Sequence, residues 1–151
     1  MGKLSVSHFF YGYAANALII INDFLMVAIL FFNIYILRKA AEQGVAVPGP
    51  EPASVTELAP FFDEEGWAVL AMFMRVPMQV KAAVEGLDLN LVARQFYEAA
   101  QAFHNYYHHF PVLQEPDERK RRARLLTVAL FAALLRKGLR DLLGIPVPER
   151  M

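Results

Sequence analysis

The chain has 151 residues, no cysteine and zero formal net charge, with 56% hydrophobic residues and a mean hydropathy of +0.31. That length suits one domain with one core. The absence of cysteine excludes disulfides, thiolate metal sites and a cysteine nucleophile, and zero net charge leaves no global field drawing the chain toward nucleic acid. The 12 Phe, 6 Tyr and 6 Met put much of the apolar mass into large, soft side chains, which must fill a core or remain as sticky surface.

From Leu4 to Leu37 the formal charge is confined to Asp23. The stretch Ala17 to Leu37 is long enough to cross a bilayer, which takes about 20 residues. Asp23 costs roughly 3 kcal/mol on insertion scales, while each Leu, Ile, Phe or Val returns roughly 0.3–0.6 kcal/mol. A membrane span is therefore one reading, with Arg38 and Lys39 holding the remainder of the chain on the cytoplasmic side. No small-residue cleavage site follows the run, so a removable signal peptide is not expected. The other reading is a long buried helix of a soluble bundle. Asn22 and Asn33, eleven residues or about three turns apart, share a face with Asp23 beside it, which suits a helix with one wet edge. Asp23 itself is a candidate perturbed carboxyl, or simply a satisfied polar group.

Gly44 to Pro52, with three prolines and two glycines, cannot continue a helix. Ser54 and Glu57 have capping-box spacing and predict a short helix. Asp63, Glu64 and Glu65 place acid at the start of the next helix. Pro77 predicts a break, with a second short helix over Val76 to Glu85 ended by Gly86. Asp88 is a candidate N-cap for Leu89 to His109, whose Leu91, Val92, Phe96, Ala99, Phe103 and Tyr106 recur at three- and four-residue steps. Pro111 ends that helix. Pro116 opens the last one, which runs to about Leu143 before Gly144. With no alternating strand pattern, the expectation is an all-α bundle of five or six helices. It divides into a long apolar helix over 1–43, a linker with a short helix over 44–60, and a bundle over 61–151.

Candidate chemistry is sparse. His104 and His108 have i, i+4 spacing with His109 adjacent, but no third ligand is evident, so neither metal nor cofactor is expected. Arg119, Lys120, Arg121, Arg122 and Arg124 form the one basic cluster, readable as phosphate contacts or as a solvated face. Phe103, Tyr106 and Tyr107 are core residues or, for the i, i+4 pair Phe103 and Tyr107, a platform for bases. No phosphate loop, nucleophile elbow or carboxylate pair suggests an enzyme.

From about Leu37 onward, ILRKAAEQG (36–44), FYEAAQAFHNYYHHFPVL (96–113), ERKRRARL (118–125) and the terminal LLRKGLRDLLGIPVPERM (134–151) resemble the C-terminal anticodon-binding (DALR) domain of arginyl-tRNA synthetases. The resemblance covers roughly three quarters of the chain and includes the closing PERM. It implies a helical bundle docking on the anticodon stem and loop of an arginine tRNA in the cytoplasm. Phe103, Tyr107 and Met151 would hold bases, with Arg119 and Arg122 on phosphates. Unpaired bases are read by stacking of this kind, at about 1–3 kcal/mol per base. There are departures. The family's tyrosine-alanine-histidine-alanine-arginine motif falls on Ala28 to Phe32, so its tyrosine is Ala28 and its arginine is Phe32. Met72, Met74, Met78 and the run 130–135 are apolar where the family usually carries charge or amide. Residues 1–35 do not otherwise resemble the family, and no signature of its catalytic domain occurs here. These exchanges motivate the competing expectations: an interaction or oligomerisation protein on the same scaffold, natural or engineered, using a hydrophobic surface, or a protein anchored through its first helix.

Overall fold

The computed structural model describes residues 25–86 and 89–142, and the described residues form an all-α bundle without strands. Its helices are α1 (25–42, already helical at the first described residue), α2 (Pro52–Leu58), α3 (Glu64–Glu85), α4 (Leu89–His109) and α5 (Glu118–Lys137). A 3-10 turn, Ala59–Phe61, follows α2, and a π-helical turn, Gly138–Leu142, continues α5.

The core forms around α5. Leu125 to Ala129 are all buried, as are Phe131, Ala132 and Leu135. Within the run at 130–135, Phe131, Ala132 and Leu135 face the core, Leu130 and Leu134 are half-buried and Ala133 is exposed. Phe131 is the hub: its ring stacks on Phe103 of α4 at 4.5 Å and on Phe73 of α3 at 4.7 Å. α3 and α4 pack antiparallel, since residues 65–69 of one share a groove with residues 102–110 of the other. α2 lies on the outside of α5, with Leu58 against Ala123 and Leu126. α1 joins the same core through Met26, Leu30, Ile36 and Ala40, spaced to one helix face.

Helix ends follow sequence chemistry with some exceptions. α1 closes at Gly44, whose φ of 73° is the left-handed conformation that glycine adopts without penalty. There Val45 donates to the Ala40 carbonyl at 3.0 Å. Asp63 caps α3 by accepting from the Gly66 amide at 2.8 Å. Asp117 caps α5, and the amides of Lys120 and Arg119 hold its carboxyl below the usual carboxylate range. Pro116 therefore precedes the cap instead of opening the helix. The capping-box expectation at Ser54 fails, because Pro52, preset for a first helical position, starts α2 two residues earlier. Asp88 and Gly144 lie outside the described residues.

Pro77 does not break α3. It removes the hydrogen bond to the Phe73 carbonyl, but Phe73 and Val76 before it and Val80 and Ala83 after it are all buried on one side, and that packing holds the helix through. Asn33 is also not on a wet edge. It is fully buried, donating from Nδ2 to the Ile29 carbonyl at 2.7 Å while its Oδ1 lacks a partner. Asn22 and Asp23 are outside the described residues. Of the possible membrane run, the described part turns one face into the protein core. Among the described residues the helix long and apolar enough to cross a bilayer is α3, whose inner face packs on α4 and α5.

Candidate nucleic-acid interface

The aromatic seam of α4 divides between two environments. Phe103 points at α5 and is 1% exposed, sealed by the Phe131 ring. Tyr106 also points inward. Tyr107, one turn beyond Phe103 with ring centroids 6.3 Å apart, is only half-buried and faces α1. There Phe32 meets it edge-on at 5.1 Å with an interplanar angle of 84°. Phe32 is 42% exposed and Tyr35, three residues on, 53%. Lys39 Nζ lies 5.7 Å from the centroid of the Tyr35 ring, within cation–π reach. Burial raises the Tyr107 phenol above its ordinary pKa, and the Lys39 charge opposes that rise.

Phe103 is therefore a correction to the sequence-based site. The Phe103 ring lies against Phe131 at 4.5 Å, out of solvent, so its face is spent on core packing. Tyr107 keeps an accessible edge. Its neighbours Tyr35 and Lys39 are not among the residues that the sequence alone marks for this site. Their i, i+4 spacing beside Phe32 was the available signal. Phe32, noted for what it replaces, supplies a ring to the same cluster. Met151 lies outside the described residues.

The basic cluster is mostly engaged within the chain. Arg122 Nη1 pairs with Glu57 of α2 at 3.2 Å, and the Arg119 guanidinium lies 5.3 Å from the Phe61 ring centroid. Arg121 donates to the Glu115 carbonyl at 3.2 Å. Arg124 pairs with Glu115 and Asp63 and lies over Phe110. These residues fasten the start of α5 to α2 and to the α4–α5 loop, and none of these contacts brings them to Tyr107. Lys120 is exposed. His104 and His108 stack edge to face at 4.5 Å on the outside of α4. Among the described residues no group of three or more His, Cys, Asp or Glu converges as a metal shell.

The fold and this face define an all-helical module with a half-exposed ring cluster, one adjacent cation and no catalytic constellation among the described residues. The profile of the DALR anticodon binding domain matches residues 34–151, and the chain belongs to that family. It is 38% identical over 117 residues to an arginine–tRNA ligase of Oleidesulfovibrio alaskensis, covering 77% of this chain and 20% of that enzyme. To the arginine–tRNA ligase of Bacteroides thetaiotaomicron it is again 38% identical over 117 residues, covering 77% and 18%. To that of Nitratidesulfovibrio vulgaris it is 36% identical over 116 residues, covering 77% and 20%. The chain thus spans about one fifth of the length of these curated relatives. No solved structure matches it significantly.

Proposed function

We propose that this chain binds the anticodon arm of a tRNA, the arginine acceptor in the first instance, through the α1–α4 face centred on Tyr107. The observation that carries the reading is the cluster of Phe32, Tyr35 and Tyr107 with Lys39 beside it, half-exposed and arranged edge-on instead of sealed. Single-stranded RNA is held by this combination: planar groups for splayed bases and a cation for the backbone or the π-face. Family membership supports the anticodon as the target, and the names of the relatives support arginine tRNA. In this reading the 151 residues bind and do not ligate, and a tRNA partner implies the cytoplasm. Tyr107 and Tyr35 contact bases. Lys39, Arg119 and Lys120 contribute charge, Arg122 being engaged by Glu57. Met151 would close the base site.

The test is a fluorescence-anisotropy titration with an arginine-tRNA anticodon stem-loop at two salt concentrations. Binding should weaken as salt rises. Tyr107→Ala and Tyr35→Ala should each lose about 1–3 kcal/mol of binding, roughly 5- to 150-fold. Absence of binding at low salt would sink the reading, as would equal affinity for a stem-loop of unrelated anticodon with both tyrosine variants unchanged.

A further inference from the structure

We propose that His104 and His108 form a two-imidazole site for a divalent transition-metal ion, copper(II) before others, on the solvent side of α4. The two positions are one helical turn apart, so their side chains stand on the same face. Both residues are exposed, and their ring centroids lie 4.5 Å apart. Among the described residues neither ring takes part in a hydrogen bond or an ion pair. His109 differs. Its Nδ1 lies 2.8 Å from the Asn105 carbonyl oxygen, and it is one residue further around the helix, off the line joining the other two. The site is therefore the pair and not the three histidines together.

The separation of the rings points to the metal. An imidazole nitrogen binds its ion at about 2.0–2.1 Å, so two rings on one ion have centres roughly 4.5 Å apart for a right-angle pair of bonds and roughly 5.2 Å apart for a tetrahedral pair. The 4.5 Å found between His104 and His108 is the right-angle value. Nitrogen ligands at right angles suit copper(II) and nickel(II), and copper(II) stands highest in the affinity order of the divalent ions. Magnesium and calcium prefer oxygen and are not candidates. The two rings meet edge to face at 77°. A turn about χ2, a broad and soft torsion, aims a nitrogen of each at one point. That turn leaves each ring centre almost in place, because its axis passes through the ring. A structural zinc site needs four protein ligands, and no group of three or more His, Cys, Asp or Glu converges among the described residues. An exposed tetragonal ion takes its remaining ligands from water, so two imidazoles suffice. His108 also lies in the last turn of α4, where the helix dipole favours a positive charge. The inference uses none of the rings assigned to RNA and does not rest on that reading.

The test is calorimetric titration of the full chain with copper(II) at mildly alkaline pH, where imidazole ligands are deprotonated. His104→Ala and His108→Ala should each weaken binding at least tenfold, since losing even an outer-shell partner of a metal ligand costs about 10–100-fold. The chain's other two histidines, His8 and His109, are the controls. His8→Ala and His109→Ala should leave that binding step unchanged. Positions 104 and 108 are exposed, so the circular dichroism spectrum should be the same in every variant. Electron paramagnetic resonance of the copper(II) form should show two imidazole nitrogens in the equatorial plane, and one in either of the 104 and 108 variants. No copper(II) binding by the parent chain overturns the inference. So does an affinity indifferent to both His104→Ala and His108→Ala, or an equal loss on His8→Ala or His109→Ala. A parent spectrum with fewer than two imidazole nitrogens overturns it as well.

Discussion

Arg124 Nη1 stands 2.7 Å from Glu115 Oε2, with both side chains largely out of solvent. The same guanidinium reaches Asp63 at 3.5 Å, donates to the Pro111 carbonyl at 3.3 Å and lies 5.3 Å from the Phe110 ring centroid. One side chain of α5 thus ties together the cap of α3, the end of α4 and the loop after it. Removing one partner of a shielded pair leaves the other desolvated and unpaired. Arg124→Ala should therefore lower stability by about 3 kcal/mol, and Arg124→Lys should recover only part, because an ammonium cannot reproduce the fork. Urea denaturation checks both. Loss of RNA affinity with unchanged stability would reassign Arg124 to phosphate binding.

At Gly138, where the π-helical turn begins, α4 leaves no room for a side chain. A Cβ at 138 would overlap the edge of the Phe96 ring, which is itself buried. The π-helical turn Gly138–Leu142 starts at this contact. Gly138→Ala should destabilise the bundle by about 1–3 kcal/mol, the cost of overpacking. Adding Phe96→Leu should restore part of that loss, since contacting sites couple. Thermal melts of both single variants and the double variant test this; purely additive losses would contradict it.

How far the sequence foretold this arrangement depended on whether a residue's fate is set locally. The three- and four-residue spacing of Val92, Phe96, Ala99, Phe103 and Tyr106 marked the inner face of α4, and those residues are buried. The acid of Asp63, Glu64 and Glu65 marked the start of α3, and the fold makes Asp63 its cap. Tertiary packing overrode local signals elsewhere. Pro77 reads as a break until the buried residues on both sides of it are known. Phe103 and Tyr107 share a helix face by spacing, yet only the position of Phe131 shows that one ring is sealed and the other is not. The arginines of 119–124 read as phosphate contacts or a solvated face, and the acceptors of Arg122 and Arg124, Glu57 and Glu115, are named by the fold alone.

Asn33 offers a test of a polar group confined in the core. Its Oδ1 is buried without a partner, while Nδ2 bonds only to its own helix. Leaving such an acceptor unsatisfied costs about 1–3 kcal/mol, whereas an apolar replacement of similar shape removes the cost. Asn33→Leu should raise stability by about 1 kcal/mol, visible as a higher denaturation midpoint with an unchanged slope. A lower midpoint would mean that Oδ1 has a partner in solution, a buried water being the simplest.

Tyr106 should give the bundle an alkaline limit. Its hydroxyl is buried without a completed hydrogen bond. Burial first, and then the Asp63 carboxylate, push its pKa well above the ordinary phenol value of 10.0, with Arg124 opposing. In the unfolded chain the same phenol ionises near 10. The folded state favours the protonated form, so this contribution to stability is complete below about pH 10 and is lost as pH climbs toward the folded value, by at most about 1.4 kcal/mol per pH unit. Lysines titrate in the same range, so the comparison is with Tyr106→Phe, which keeps the ring on Phe110 and removes the ionising group. At pH 7 the variant should lie within about 1 kcal/mol of the parent, since the hydroxyl faces Asp63 and Thr127 without a well-formed hydrogen bond. Between about pH 10 and 11 the parent should lose stability faster than the variant. Parallel declines of the two proteins in denaturant melts across that window would show that the phenol at 106 is not held neutral by the fold.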